Sequence, residues 1–201
     1  MKLLTALLLL VPASLLLASD KDEPALSYTL RLDKETVRLT PGKAVEIKGH
    51  FDNPTATLVP DTERLFTYGQ VTFKYPSNFA FEADFDTEGV KLWTLDGNSF
   101  VIMVHQYESV EMTPKGFADQ LKGLYGSGTR IENRAYTFNG QKYSGIRVHV
   151  NIASQKLIQD VLALPAKKGS RLLILQDDPP TEKQSDESKT VLKLLDETLK
   201  P

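Results

Sequence analysis

The stretch from Ile131 to Ile152, IENRAYTFNGQKYSGIRVHVNI, contains a turn and the two strands that leave it. Asn139-Gly140 is a strong signal for a two-residue type I′ turn, which needs positive φ at both central residues. Beyond it, Ile146, Val148, Val150 and Ile152 alternate with Arg147, His149 and Asn151, the period of a strand with one apolar face. With Asn139-Gly140 at the tip, Tyr136 falls opposite Tyr143, Glu132 opposite Arg147 and Ile131 opposite Val148. An aromatic pair, an ion pair and an aliphatic pair thus fall where cross-strand contacts stabilise a ladder.

Working outward, the pattern stays antiparallel. Phe79, Phe81, Ala83 and Phe85 alternate with Glu82, Asp84 and Asp86, after a strand over Gln70 to Tyr75 and a turn at Pro76-Ser77-Asn78. Lys91 to Leu95 and Phe100 to Tyr107 flank Asp96-Gly97-Asn98, a loop rich in residues that tolerate positive φ. The run Phe100-Val101-Ile102-Met103-Val104 is apolar on both faces, as in a strand covered from both sides. The period then changes. Thr113 as N-cap, Pro114 as first helical residue, and Phe117, Leu121, Leu124 and Tyr125 on one face predict a helix that stops at Gly126. Strands over Leu157 to Leu164 and Leu172 to Gln176 follow the hairpin, and Asp177-Asp178-Pro179-Pro180 ends the sheet. Val191, Leu194, Leu195 and Leu199 mark a closing amphipathic helix capped near Ser185. The fold class is α+β, an antiparallel β-sheet flanked by helices.

Toward the N-terminus, Tyr28, Leu30 and Leu32, then Val37 and Leu39, then Val45 and Ile47 predict three short strands. Asp52-Asn53-Pro54 and Pro60-Asp61 read as loop. A segment of about 35 residues is too small to bury a core of its own. Residues 26–60 are therefore expected to lie on the domain at 65–200 as an added ribbon, joined to residues 1–18 by a loose polar linker over 19–25. Residues 1–18 have the form of a secretory signal: Lys2, an apolar run from Leu3 to Leu17, then small residues, with cleavage expected near Ala18. Pro12 interrupts the run, which is shorter than the roughly 20 apolar residues of a spanning helix. The expectation is a periplasmic or secreted protein with no transmembrane segment in the mature chain.

Composition excludes some functions. Formal net charge is −2 and no basic block occurs, so no footprint for nucleic acid is present. The chain has no cysteine, which excludes a disulfide framework, thiol catalysis and thiolate-bound metals or clusters.

The strings Phe73-Lys74-Tyr75-Pro76-Ser77-Asn78-Phe79, Thr113-Pro114-Lys115-Gly116-Phe117, Asn139-Gly140-Gln141-Lys142-Tyr143 and Gly169-Ser170-Arg171-Leu172-Leu173-Ile174, in this order, resemble the PsbP-like superfamily. That superfamily shares its fold with the yeast release factor for the small GTPase Ran. The resemblance covers about Leu65 to Leu199 and implies an α/β/α sandwich. Members are mostly non-enzymatic accessory or binding proteins, and the matching strings are structural punctuation that carries over no functional residue.

The chemistry-bearing residues are sparse. His50, His105 and His149 form no H-x-H or H-E-x-x-H spacing, although His105 and His149 could meet across the sheet. No G-x-S-x-G string occurs, and Gly126-Ser127-Gly128 follows a helix instead of opening one. Asp160 interrupts an apolar strand, but Gln159 beside it suggests an edge or turn position. Glu82, Asp84, Asp86 and Glu88 form an acidic stripe, yet a strand fans such ligands apart where a calcium loop converges them. No metal or other cofactor is expected.

The organising hairpin offers one candidate surface. Arg130, Glu132, Arg134 and Tyr136 share a face with Tyr143, Arg147 and His149. Tyrosine and arginine are enriched at binding hot spots. This face is a candidate protein-binding patch, unless the closing helix covers it and Tyr136 and Tyr143 meet Leu194 or Leu195. The resulting expectation is an exported, non-enzymatic binding or accessory protein with a protein partner in the cell envelope. A carrier of a small hydrophobic ligand, or a small hydrolase built on Asp160 and the strand histidines, are the alternatives.

Overall fold

A computed structural model of the chain describes residues 19–152, 155–178 and 184–201. The expected signal segment lies outside the described residues, as do Pro179 and Pro180. The fold is α+β. Seven antiparallel strands form the main sheet: β6 (Ala80–Asp84), β7 (Val90–Asp96), β8 (Phe100–Tyr107), β9 (Arg130–Phe138), β10 (Gln141–Ile152), β11 (Gln155–Leu164) and β12 (Ser170–Asp177), in the order β6-β7-β8-β12-β11-β10-β9. Helix α1 (Pro114–Tyr125) carries the chain from β8 to the far edge, from which β9 to β12 meander back to pair with β8. A second helix, α2 (Asp186–Thr198), closes the chain.

The organising hairpin forms as its sequence dictates. Asn139 and Gly140 have φ of 48° and 75°, and Tyr136, Glu132 and Ile131 stand opposite Tyr143, Arg147 and Val148. The turn also fixes α2, since Asn139 donates its backbone N–H to Asp196 and its amide Nδ2 to the Leu199 carbonyl. One glycine inside β10 is required by close approach: a Cβ on Gly145 would meet the Val161 carbonyl oxygen at 2.1 Å.

The two faces of the sheet have separate cores. On one, Ala118 of α1 buries Val148 and Val150, while Phe117 and Met103 pack against Val161, Leu172 and Ile174. The apolar face of α1 is shorter than its spacing suggested. Phe117, Ala118 and Leu121 face the sheet, but Leu124 and Tyr125 in the last turn are 73% and 40% exposed. On the other face lies the larger core. There Leu95, Ile102, Leu173, Leu162 and Phe138 meet Val191 and Leu195 of α2, its C-cap Leu199, and the hairpin of β4 (Glu63–Phe66) and β5 (Phe73–Pro76). Thr113 and Ser185 cap the two helices through Gly116 and Ser188 N–H, as expected.

Three expectations at the N-terminal end are corrected. The sheet formed by β1 (Tyr28–Leu32) and β2 (Glu35–Leu39) takes its third strand from β3 (Ala56–Pro60), not from Val45 to Ile47, which carry no ladder. Thr57, Leu58 and Val59 supply β-forming residues, and Pro60 is tolerated because β3 is an edge. Pro60 is thus the last residue of a strand and not loop. The segment 19–25 is not loose. Trp93 Nε1 donates to the Asp20 carbonyl at 2.8 Å, the Tyr68 hydroxyl to Asp22 at 2.6 Å and Arg64 to Pro24 at 3.1 Å, with Arg64 also paired to Glu23.

Candidate functional site

Antiparallel register sets Glu132, Arg147, Asp160, Leu175, Ile102 and Leu95 side by side across six strands, on the face toward α2. The apolar end of this row is core; the polar end is the site. Asp160 is only 4% exposed, which corrects the reading of it as an edge residue. Its neighbour Gln159 points to the opposite face, where it donates to Gln176 at 2.6 Å.

Burial of a carboxylate requires partners, and Asp160 has three bonds. Arg147 donates from Nε to Oδ1 and from Nη2 to Oδ2, both at 2.7 Å, and the Tyr136 hydroxyl donates to Oδ2 at 2.5 Å. Arg147 Nη2 also reaches the Tyr136 oxygen at 3.1 Å. The bonds it donates to Asp160 hold the Arg147 guanidinium well above its ordinary pKa, against burial. Burial, then the negative charge of Asp160, push the Tyr136 phenol up. The cluster is therefore a locked pair of opposite charges with a protonated tyrosine across it. Both carboxylate oxygens are engaged, so Asp160 is not poised as a general base.

The structure divides the seven patch residues. Tyr143 is 2% exposed and belongs to the core around Phe138 and Leu195, so α2 covers that part of the face. Tyr136 is half-buried in stacking on Phe138 and in the Asp160 cluster, beneath the exposed guanidinium of Arg134 at 4.8 Å from its ring. Arg147 turns to Asp160, its opposite residue on β11, and not to Glu132 on β9. Glu132 joins instead with Arg130 and His149 at the surface. His149 Nε2 stands 2.8 Å from Arg130 Nη2 and 3.1 Å from Glu132 Oε1. In any one protonation state that nitrogen either accepts from Arg130 or donates to Glu132. The His149 contact, followed by the charge of Arg130, holds the Glu132 carboxyl below its usual range.

His105 is not part of this site. It lies on the α1 face against Phe117, with β12 and β11 between its strand and that of His149. Burial lowers its pKa to about 4, so it is neutral at pH 7. The acidic stripe at Glu82, Asp84, Asp86 and Glu88 is exposed, and among the described residues no three His, Asp or Glu side chains converge as a metal site.

Beside the Asp160 cluster is a cavity of about 200 Å³ between β9 to β12 and the start of α2. Arg134, Tyr136, Arg147 and Asp160 line it together with Asp177, Gln184 and Ser188 and the apolar Phe100, Ile158, Leu175 and Leu192, and the register sets Phe100 and Ile158 on either side of Asp177. Sequence reasoning missed Asp177, which ends β12 and is 8% exposed. Its place opposite Ile158 could have been read from the register, but its burial depends on where α2 lands. No family model and no curated protein matches this chain.

Proposed function

We propose that this chain is an exported, non-enzymatic binding or accessory protein of the PsbP-like type, an α/β/α sandwich with an N-terminal β ribbon. It acts by protein contact in the periplasm or outside the cell. The observation that carries this reading is the state of Asp160: this acid, buried within the sheet, is saturated by Arg147 and Tyr136, and His105 and His149 are bonded elsewhere. What the same strands leave at the surface is recognition chemistry, namely Arg130, Glu132 and His149 beside the exposed Arg134. The cavity under α2 is bordered by four charged side chains, which suits a polar guest better than the hydrophobic ligand of a carrier.

The test is crosslinking in the native envelope, comparing the natural chain with a variant carrying Arg130→Ala, Glu132→Ala and His149→Ala. These side chains are at or near the surface, so the variant should keep its melting temperature and lose its crosslinked partner. Capture of the same partner at undiminished yield would remove this patch from the proposal.

A further inference from the structure

We infer that the cavity between the sheet and the start of α2 is a receptor for an alkylammonium or alkylguanidinium group, with Asp177 as its counter-charge. This deepens the accessory reading above and rests on it for the natural source, a lysine or arginine side chain of the protein partner. The starting point is an imbalance. Asp177 is buried to 8% exposure, and its Oδ1 has no hydrogen-bond donor. Its Oδ2 has one distant donor, the Ser185 backbone N–H at 3.4 Å, at the positive end of α2. A buried carboxylate oxygen without a donor is costly and rare in native structures.

The cavity's own cations do not correct this. Arg147 is committed to Asp160 and Tyr136, and Arg134 lies over the Tyr136 ring. The Gln184 amide is turned to Ser188 Oγ at 2.8 Å. Among the described residues no side chain supplies the missing donor, and a cationic one is favoured because the acceptor is a carboxylate. Ile158, Leu175 and Leu192 line the cavity with hydrocarbon, which suits an aliphatic stem behind the charged head. The volume of about 200 Å³ is well above that needed for one water.

The experiment titrates n-butylammonium, n-butylguanidinium, 1-butanol and butyrate into the isotope-labelled full chain at pH 7, following backbone amide signals. The expected result is saturable shifts at Ile158, Asp177 and Ser188 with the two cations only, and at least tenfold weaker binding in Asp177→Asn. Should that variant not fold, Leu192→Trp fills the cavity from α2 and leaves the carboxylate in place; it should abolish the shifts. Equal binding of 1-butanol, preference for butyrate, or cation binding unchanged in Asp177→Asn or Leu192→Trp would each overturn the inference. The source is read separately. A photocrosslinker replacing Gln184 should join to a partner peptide at a lysine or arginine, whereas a free amine would be released on denaturing the natively purified chain. The probe titration needs no partner. Its failure with partner capture intact rejects the receptor alone, and the reverse outcome rejects the accessory reading alone.

Discussion

The two faces of the β9/β10 hairpin come from the same strands but are held by different physics. Toward α1, Val148 and Val150 bury aliphatic surface with Ala118, Ile131 and Ile146, contacts that have no directional demand. Toward α2, Arg147 and Tyr136 of the hairpin meet Asp160 of β11 in bonds that must all be made together. The first face should lose stability in proportion to the volume removed. The second should fail in a step, because removing one partner leaves the other buried and charged.

The largest expected effect breaks that polar face. Asp160→Ala should cost about 3 to 5 kcal/mol, since Arg147 would keep its charge without its carboxylate. Arg147→Met combined with Asp160→Leu removes both charges and should restore most of the loss or exceed the natural stability. Urea unfolding at constant m-value measures both. If the double variant were as unstable as the single one, the pair would be supplying net attraction and the contrast between the faces would be wrong.

The next effect belongs to the apolar face, where His105 is the exception. Its folded pKa of about 4 lies below the unfolded value near 6.5. Below pH 6.5 the unfolded chain binds a proton that the folded chain refuses, so stability falls between pH 6.5 and 4 and is intact above. The full shift corresponds to about 3 kcal/mol. His105→Gln should flatten this part of the stability profile in denaturant titrations at successive pH values. An unchanged slope would mean that the acid sensitivity resides in carboxylates elsewhere.

These contrasts show which parts of the molecule were legible in the residues. The two-residue turn at Asn139-Gly140 determines pairing, so the whole β9/β10 register could be read, and Thr113, Pro114 and Ser185 marked the helix starts because capping is local chemistry. Gln159 is no guide to the surroundings of Asp160, because adjacent strand residues face opposite ways. Val45 and Ile47 alternate as well as any strand, but a strand also needs a partner, and Ala56–Pro60 takes the place beside β1. The segment 19–25 is held largely through its backbone carbonyls, which composition does not reveal. The cavity at Asp177 arises where α2 meets the sheet, a tertiary outcome that no local pattern contains.

The smallest effect sharpens the comparison at the point where the polar face turns into core. Tyr136 and Tyr143 stand directly opposite each other on one face, yet their hydroxyls have different fates. That of Tyr136 donates to Asp160 at 2.5 Å and accepts from Arg147, so Tyr136→Phe leaves a carboxylate oxygen and a guanidinium one bond short. A loss of about 1 to 3 kcal/mol is expected. That of Tyr143 is buried with no partner, and burial raises its pKa. Tyr143→Phe keeps the ring that packs beside Phe138 and removes only the unsatisfied group. It should be neutral or stabilising by up to about 1 kcal/mol. Thermal unfolding of the two variants side by side decides the matter: the same change of tyrosine to phenylalanine, at paired positions, should move the melting temperature down in one and leave it level or raise it in the other. Equal losses would place a hydrogen-bond partner on Tyr143 and extend the polar cluster into the core.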